Sequence, residues 1–110
     1  LIEKEQSLRK LTVEEIQATV AKKYNVTMAQ MLSSERTQSL VTPRQLAMYI
    51  SRKLTTKSLQ EIATAFDKKH ATILHGVKTI NQRLENEIEL KNTLSEILTD
   101  FGYKISDTMD

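Results

Sequence analysis

One short segment concentrates side chains that could recognise a nucleic acid. It runs from Lys69 to Thr72, with His75 one helical turn further on. Histidine and threonine can donate and accept hydrogen bonds, an alanine methyl can touch a thymine methyl, and lysine can reach guanine or phosphate. Such side chains favour binding in a DNA groove over bond breaking. We predict base contacts from Lys69, His70, Ala71 and Thr72, and a phosphate contact from His75.

Two helical patterns lie back to back around this segment. The first, residues 58–66, starts with Ser58 and Glu61 at the spacing of a capping box. The second, residues 70–85, follows after a turn of three residues. Its predicted buried stripe consists of Ile73, Leu74, Val77, Ile80 and Leu84. This pattern is typical of a helix-turn-helix, which places the N-terminus of its second helix in the major groove of DNA.

Basic residues are concentrated around this helix pair. The chain has a formal net charge of +2, but residues 36–83 hold nine Lys or Arg against two acids, a local charge of +7. The remainder holds seven bases against twelve acids. A polyanion would bind against the basic part, and Arg36, in a polar loop, is predicted to enter the minor groove. The phosphate contacts predicted from the residues themselves are Arg44, Gln45, Arg52, Lys53, Lys57 and His75.

The rest of the chain consists of further helical patterns. Thr12, Thr27 and Thr42 each precede a Glu or Gln by three residues, and Pro43 would occupy a first helical position. With two glycines and one proline in 110 residues, the fold class is predicted to be all-α, a helical bundle containing a helix-turn-helix of the Trp repressor-like kind. The predicted helices span 12–24, 28–33, 43–54, 58–66, 70–85 and 88–101, with a loop at 33–41.

Several kinds of function are excluded by the sequence. The chain has no cysteine, which rules out disulfides and thiolate metal sites. His70 and His75 are five residues apart and diverge on a helix, whereas metal ligands use spacings of three or four. Both glycines are isolated, so no phosphate-binding loop is present. We predict that this segment is not an enzyme and holds no metal. Lacking a long apolar run, it is expected to be soluble and cytoplasmic.

Three motifs occur in series along the chain. They are TPRQLAMY at Thr42–Tyr49, LTxxSLxEI at Leu54–Ile62 followed by Phe66, and KHATILH at Lys69–His75. Together they resemble the C-terminal DNA-binding domain of the DnaA family of bacterial replication initiators, over about residues 12–100. The resemblance implies sequence-specific binding of double-stranded DNA at DnaA-box sites of the replication origin. It implies that Arg36 enters the minor groove and that His70 to Thr72 contact bases in the major groove. The phosphate contacts it implies are Gln45, Arg52, Thr55, Thr56, Gln60 and His75.

The resemblance also carries expectations for a longer protein. Because the first residue is Leu1, we expect the chain to be cut from one, with residues 1–11 ending a linker helix from an ATPase domain. Acidic phospholipids would bind near that helix. The ATPase domain would bind ATP or ADP with Mg and mediate self-association, whereas this segment needs no cofactor and would be monomeric. Residues 12–103 would form the DNA-binding domain, and 104–110 a disordered tail.

Three residues in the second helix region depart from the family pattern. Lys69 stands where the family has Asp, and Ala71 where it has Thr, after a turn one residue shorter. A cation thus replaces an acceptor for cytosine, so we expect a shifted target sequence. Gly76 replaces a small Ala at a cost of about 1 kcal/mol in helix propensity. A divergent initiator paralogue, or a dimeric transcription regulator on a symmetric site, remains an alternative. A third is a protein-interaction module that uses Glu85, Glu87 and Glu89.

Overall fold

The polypeptide is largely helical. A computed structural model describes residues 2–4 and 11–105. Within these residues it contains α1 (Val13–Lys23), α2 (Met28–Leu32), α3 (Gln38–Leu54), α4 (Leu59–Phe66), α5 (His70–Arg83) and α6 (Ile88–Asp100). Two short strands, β1 (Ile2–Lys4) and β2 (Tyr103–Ile105), pair in antiparallel orientation. The all-α prediction is confirmed, with this small ribbon added. No helix in the described ranges is long and apolar enough to span a membrane.

Three of the four predicted helix starts have complete capping boxes. The hydroxyls of Thr12, Thr27 and Ser58 accept hydrogen bonds from the backbone N–H three residues later, at 3.0, 3.0 and 3.1 Å. The Glu or Gln at that later position accepts in return from the backbone N–H of the cap. Each pair satisfies donors that the first turn of a helix cannot satisfy by itself. The sequence signal therefore locates α1, α2 and α4 correctly.

The fourth predicted start is wrong, because α3 begins at Gln38 and contains Pro43 inside the helix. Pro43 has no N–H to donate to the preceding turn, which costs one hydrogen bond. Tertiary contacts compensate, since Leu40 is only 6% exposed and continues the buried face of α3. The Thr42 hydroxyl is not a cap but accepts from the Arg83 Nη1 of α5 at 2.9 Å. The loop therefore ends at residue 37, four residues earlier than predicted.

Both ends of the chain differ from the prediction. Ile2–Lys4 form β1 rather than part of a linker helix, with Ile2 paired to Ile105 in the register. Isoleucine is β-branched and favours extended backbone, which suits this pairing. β2 also extends into the predicted disordered tail as far as residue 105. The predictions for residues 1, 5–10 and 106–110 lie outside the described residues.

The core lies where α3 packs on α1 and α5. One face of α5, which includes Ile73 and Ile80, is fully buried there. Leu74, predicted to be buried, is instead 48% exposed. Gly76 occupies the close approach to α3, where an added Cβ would lie 2.9 Å from Met48 Sδ. The helix is therefore rotated so that Gly76 packs inward, which leaves Leu74 on the outer face.

Candidate nucleic-acid interface

The turn between α4 and α5 is built by its own backbone. Asp67 ends α4 in the left-handed conformation, with φ 54° and ψ 47°. Its N–H donates to Thr64 O at 3.1 Å, and the N–H of Lys68 donates to Ala63 O at 2.9 Å. Lys69 then returns to extended backbone and caps α5. These bonds satisfy two of the last four carbonyls of α4 and fix the direction in which α5 leaves the turn.

The first turn of α5 is open to solvent. Lys69, His70, Ala71 and Thr72, the predicted base contacts, are all exposed and adjacent, so the structure brings them together. No described residue supplies a side-chain cap to this helix, and its first turn contains no acid. The positive end of the helix dipole therefore faces solvent together with these side chains. Such an end can bind an anion such as a DNA phosphate.

Further along α5, Leu74, His75 and Lys78 are also exposed. Leu74 follows Ala71 by three residues and Lys78 follows Leu74 by four, so the three lie on one face. Sequence reasoning placed Leu74 in the core and missed it as part of this surface. The available signal was Gly76, since a residue without a side chain at helical spacing from Ile73 and Ile80 can mark the closest approach to another helix.

His70 is held by a residue of α4. Its Nε2 lies 2.7 Å from Gln60 Oε1, while Gln60 Nε2 donates to Thr64 Oγ1 at 3.2 Å. An amide oxygen can only accept, so His70 donates from Nε2 in this contact. Gln60 was predicted to bind phosphate. Its amide is instead engaged within the protein, where it orients His70.

Arg36 lies in the extended segment of residues 33–37 between α2 and α3 and is exposed. Together with Lys68, Thr72 and His75 it lines a cleft of about 550 Å³ between this loop, α3 and α5. Gln45 of α3, which is partly buried, lines the same cleft. The predicted minor-groove residue and residues of the predicted major-groove and phosphate sets therefore share one concave surface.

Arg44 borders the same cleft, but its guanidinium is engaged within the protein, which argues against the predicted phosphate contact. It is only 6% exposed, and Nε donates to Met31 O at 2.9 Å. Nη1 donates to Glu35 O at 2.8 Å, and Nη2 to Gln30 O at 2.9 Å and to Ser33 Oγ at 3.0 Å. Burial lowers the pKa of Arg44, which the Glu35 charge partly offsets. Its spacing from Leu40 and Ala47 places it on the buried face of α3, a signal the sequence contained.

The remaining predicted phosphate contacts lie around the turn between α3 and α4. Arg52, Lys53, Thr56 and Lys57 are exposed there. Thr55 is partly buried, and its hydroxyl donates to Ser51 O at 2.7 Å, so it terminates α3. Lys53 Nζ lies 5.6 Å from the centre of the Tyr49 ring. These exposed side chains continue the basic surface toward the N-terminus of α4. The contact of Gln60 with His70 joins α4 to α5.

A helix-turn-helix with an exposed, polar N-terminal face on its second helix defines a DNA-binding class of domain. The chain belongs to the bacterial DnaA protein helix-turn-helix family, whose model matches residues 13–80. It is 44% identical over 91 residues to the chromosomal replication initiator protein DnaA of Rickettsia canadensis and to that of Rickettsia massiliae. The aligned residues cover 82% of this chain and 20% of each relative. The counterpart from Rickettsia africae is 46% identical over 87 residues, 78% of this chain and 19% of that relative. The chain thus spans about a fifth of the length of the curated relatives it matches.

Proposed function

We propose that this chain binds double-stranded DNA at DnaA-box sites of a replication origin, as the DNA-binding part of a chromosomal replication initiator. The observation that carries the proposal is the open first turn of α5 beside the Arg36 loop, in a chain of this family. The name of the relatives, chromosomal replication initiator protein, supports the biological setting. The segregation of positive charge to residues 36–83 supports a polyanion as the ligand.

In the proposed complex, α5 enters the major groove by its N-terminus and Lys69 to Thr72 contact base edges. Arg36 enters the adjacent minor groove. Leu74, one turn beyond Ala71 on the same face, would contact a thymine methyl, because it is apolar and exposed. Phosphates would be bound by the exposed or partly exposed side chains around this face, namely Gln45, Arg52, Thr56, Lys57 and His75.

A binding titration tests the proposal directly. The chain and its variants His70→Ala and Arg36→Ala are titrated against a DnaA-box duplex and a scrambled duplex at one fixed salt concentration. Each variant is expected to lose roughly tenfold to hundredfold in affinity for the box, and much less for the scrambled duplex. Lys91→Ala on α6, an exposed base outside the interface, is the control and should bind as the unmodified chain does. Unchanged affinity and preference in both interface variants would refute the docking.

Lys69 and Ala71 differ from the family pattern. They favour a second form of the same activity, in which the preferred DNA site differs from the DnaA box of the family. Selection of bound sites from a random duplex pool separates the two, because it reports preference without assuming a sequence. A symmetric selected site bound by a dimer would instead identify a transcription regulator. Binding of acidic phospholipids, and self-association through an ATPase domain, stay predictions about a longer protein.

The alternative of an acidic protein-interaction face has less support. Glu87 at its centre accepts two hydrogen bonds from the Arg83 guanidinium, at 2.8 and 3.0 Å. This pairing lowers the pKa of Glu87 and partly neutralises the face. Glu85 and Glu89 remain exposed on either side. The absence of salt-dependent DNA binding would favour this alternative over the proposed function.

A further inference from the structure

The C-terminal end of α2 is bound by two cationic side chains that come from different parts of the chain. Arg44 of α3 donates to the carbonyls of Gln30 and Met31 at 2.9 Å each. Lys68 of the turn between α4 and α5 donates to the carbonyl of Leu32 at 3.0 Å. The last three carbonyls of this helix are therefore all acceptors from a cation. We call Arg44 and Lys68 the α2 clamp.

The clamp compensates for the shortness of α2. A helix of five residues has little stability of its own, and its last carbonyls have no partners within the helix. Cations are favoured at this end by the helix dipole. Even so, placing two cations together has a cost, since burial lowers the pKa of Lys68 and the charge of Arg44 lowers it further. Despite this repulsion, Arg44 and Lys68 lie together at the end of α2, which joins two segments of the interface.

Each half of the clamp also holds one of the two DNA-facing segments. Arg44 donates to the carbonyl of Glu35, the residue before Arg36, at 2.8 Å. Lys68 immediately precedes Lys69, and its ammonium also lies 3.4 Å from the carbonyl of Phe66 at the end of α4. The path from Arg36 to the first turn of α5 thus runs through Arg44, the end of α2 and Lys68.

We propose that the α2 clamp sets the position of the Arg36 loop relative to the N-terminus of α5, so that one domain can contact both grooves of DNA in a fixed register. This inference rests on the proposed function. Lys68 is then a positioning residue whose charge is used inside the protein, although it lies in the most basic stretch of the chain. Lys69, its neighbour, is exposed and is one of the proposed base contacts.

Lys68→Met and Lys69→Met form a matched pair, because they remove the same charge from adjacent residues. Each is combined with Arg36→Ala in a double-mutant cycle of affinity for the preferred duplex. With Lys68→Met the Arg36→Ala loss should shrink, with a coupling of roughly threefold to tenfold. The slope of log affinity against log salt should stay unchanged. Lys69→Met should be additive with Arg36→Ala and, if Lys69 contacts phosphate, should reduce the slope by about one.

Hydrogen exchange of the unbound proteins supplies a readout that needs no DNA. Lys68→Met should increase exchange at the amides of residues 33–37, whereas Lys69→Met should not. Additive binding losses, a salt slope reduced by about one and unchanged exchange in Lys68→Met would overturn the clamp and make Lys68 a phosphate contact. If the unmodified chain shows no preference for any duplex, the proposed function fails, and the exchange measurement still decides whether Lys68 positions the loop.

Discussion

The two segments proposed to contact DNA are held in place in opposite ways. The turn from α4 to α5 is fixed by neighbours in sequence, since Asp67 and Lys68 donate to carbonyls three and five residues earlier. The loop of residues 33–37 is fixed by the buried guanidinium of Arg44, nine residues beyond Glu35. One segment therefore depends on local backbone geometry and the other on side chains from other elements. A substitution that disrupts one should leave the other largely intact.

The largest effect is expected from Arg44→Met. It removes four hydrogen bonds and leaves the carbonyl of buried Met31 without its guanidinium donor, so we expect a loss of about 3–5 kcal/mol in the free energy of unfolding. Urea denaturation measures this loss. Arg52→Met, which removes the same charge from an exposed position of α3, is the control and should change stability by less than about 0.5 kcal/mol. Similar values for the two variants would show that Arg44 does not support the loop.

A smaller effect is expected from a substitution at the contact of α5 with α3. A Cβ at Gly76 would lie 2.9 Å from Met48 Sδ and 3.3 Å from Gln45 Cγ. Gly76→Val should therefore destabilise the fold by about 1–3 kcal/mol, despite the better helix propensity of valine. Thermal unfolding measures the change. Lys78→Val, at an exposed position of the same helix, should cost about 0.5 kcal/mol. A Gly76→Val protein as stable as Lys78→Val would contradict the close packing.

The same contrast between local and distant support explains which features the sequence could predict. The capping boxes at Thr12, Thr27 and Ser58 involve residues three apart, so their residue types alone locate the helix starts. The bond from Lys68 to the carbonyl of Leu32 joins residues 36 apart, and no local pattern encodes it. The start of α3 was misplaced for the same reason, because burial of Leu40 outweighs the local preference for a start at Thr42. Periodicity identified the helix pair, but packing on α3 set the rotation of α5 that exposes Leu74.

The smallest effect tests the local side of the comparison at the start of α4. Ser58→Ala removes the acceptor for the N–H of Glu61 and should cost about 1 kcal/mol, whereas Ser58→Thr should cost less than about 0.5 kcal/mol because the hydroxyl is kept.

The bonds from Ser58 lower the pKa of Glu61 below its ordinary value of 4.5. A lowered pKa in the folded state stabilises the fold above pH 4.5, and this contribution is lost as the pH falls through the folded value. Thermal unfolding between pH 7 and 3 should therefore show a larger loss for the unmodified chain than for Glu61→Gln. Equal losses would mean that the Glu61 carboxylate does not stabilise the start of α4.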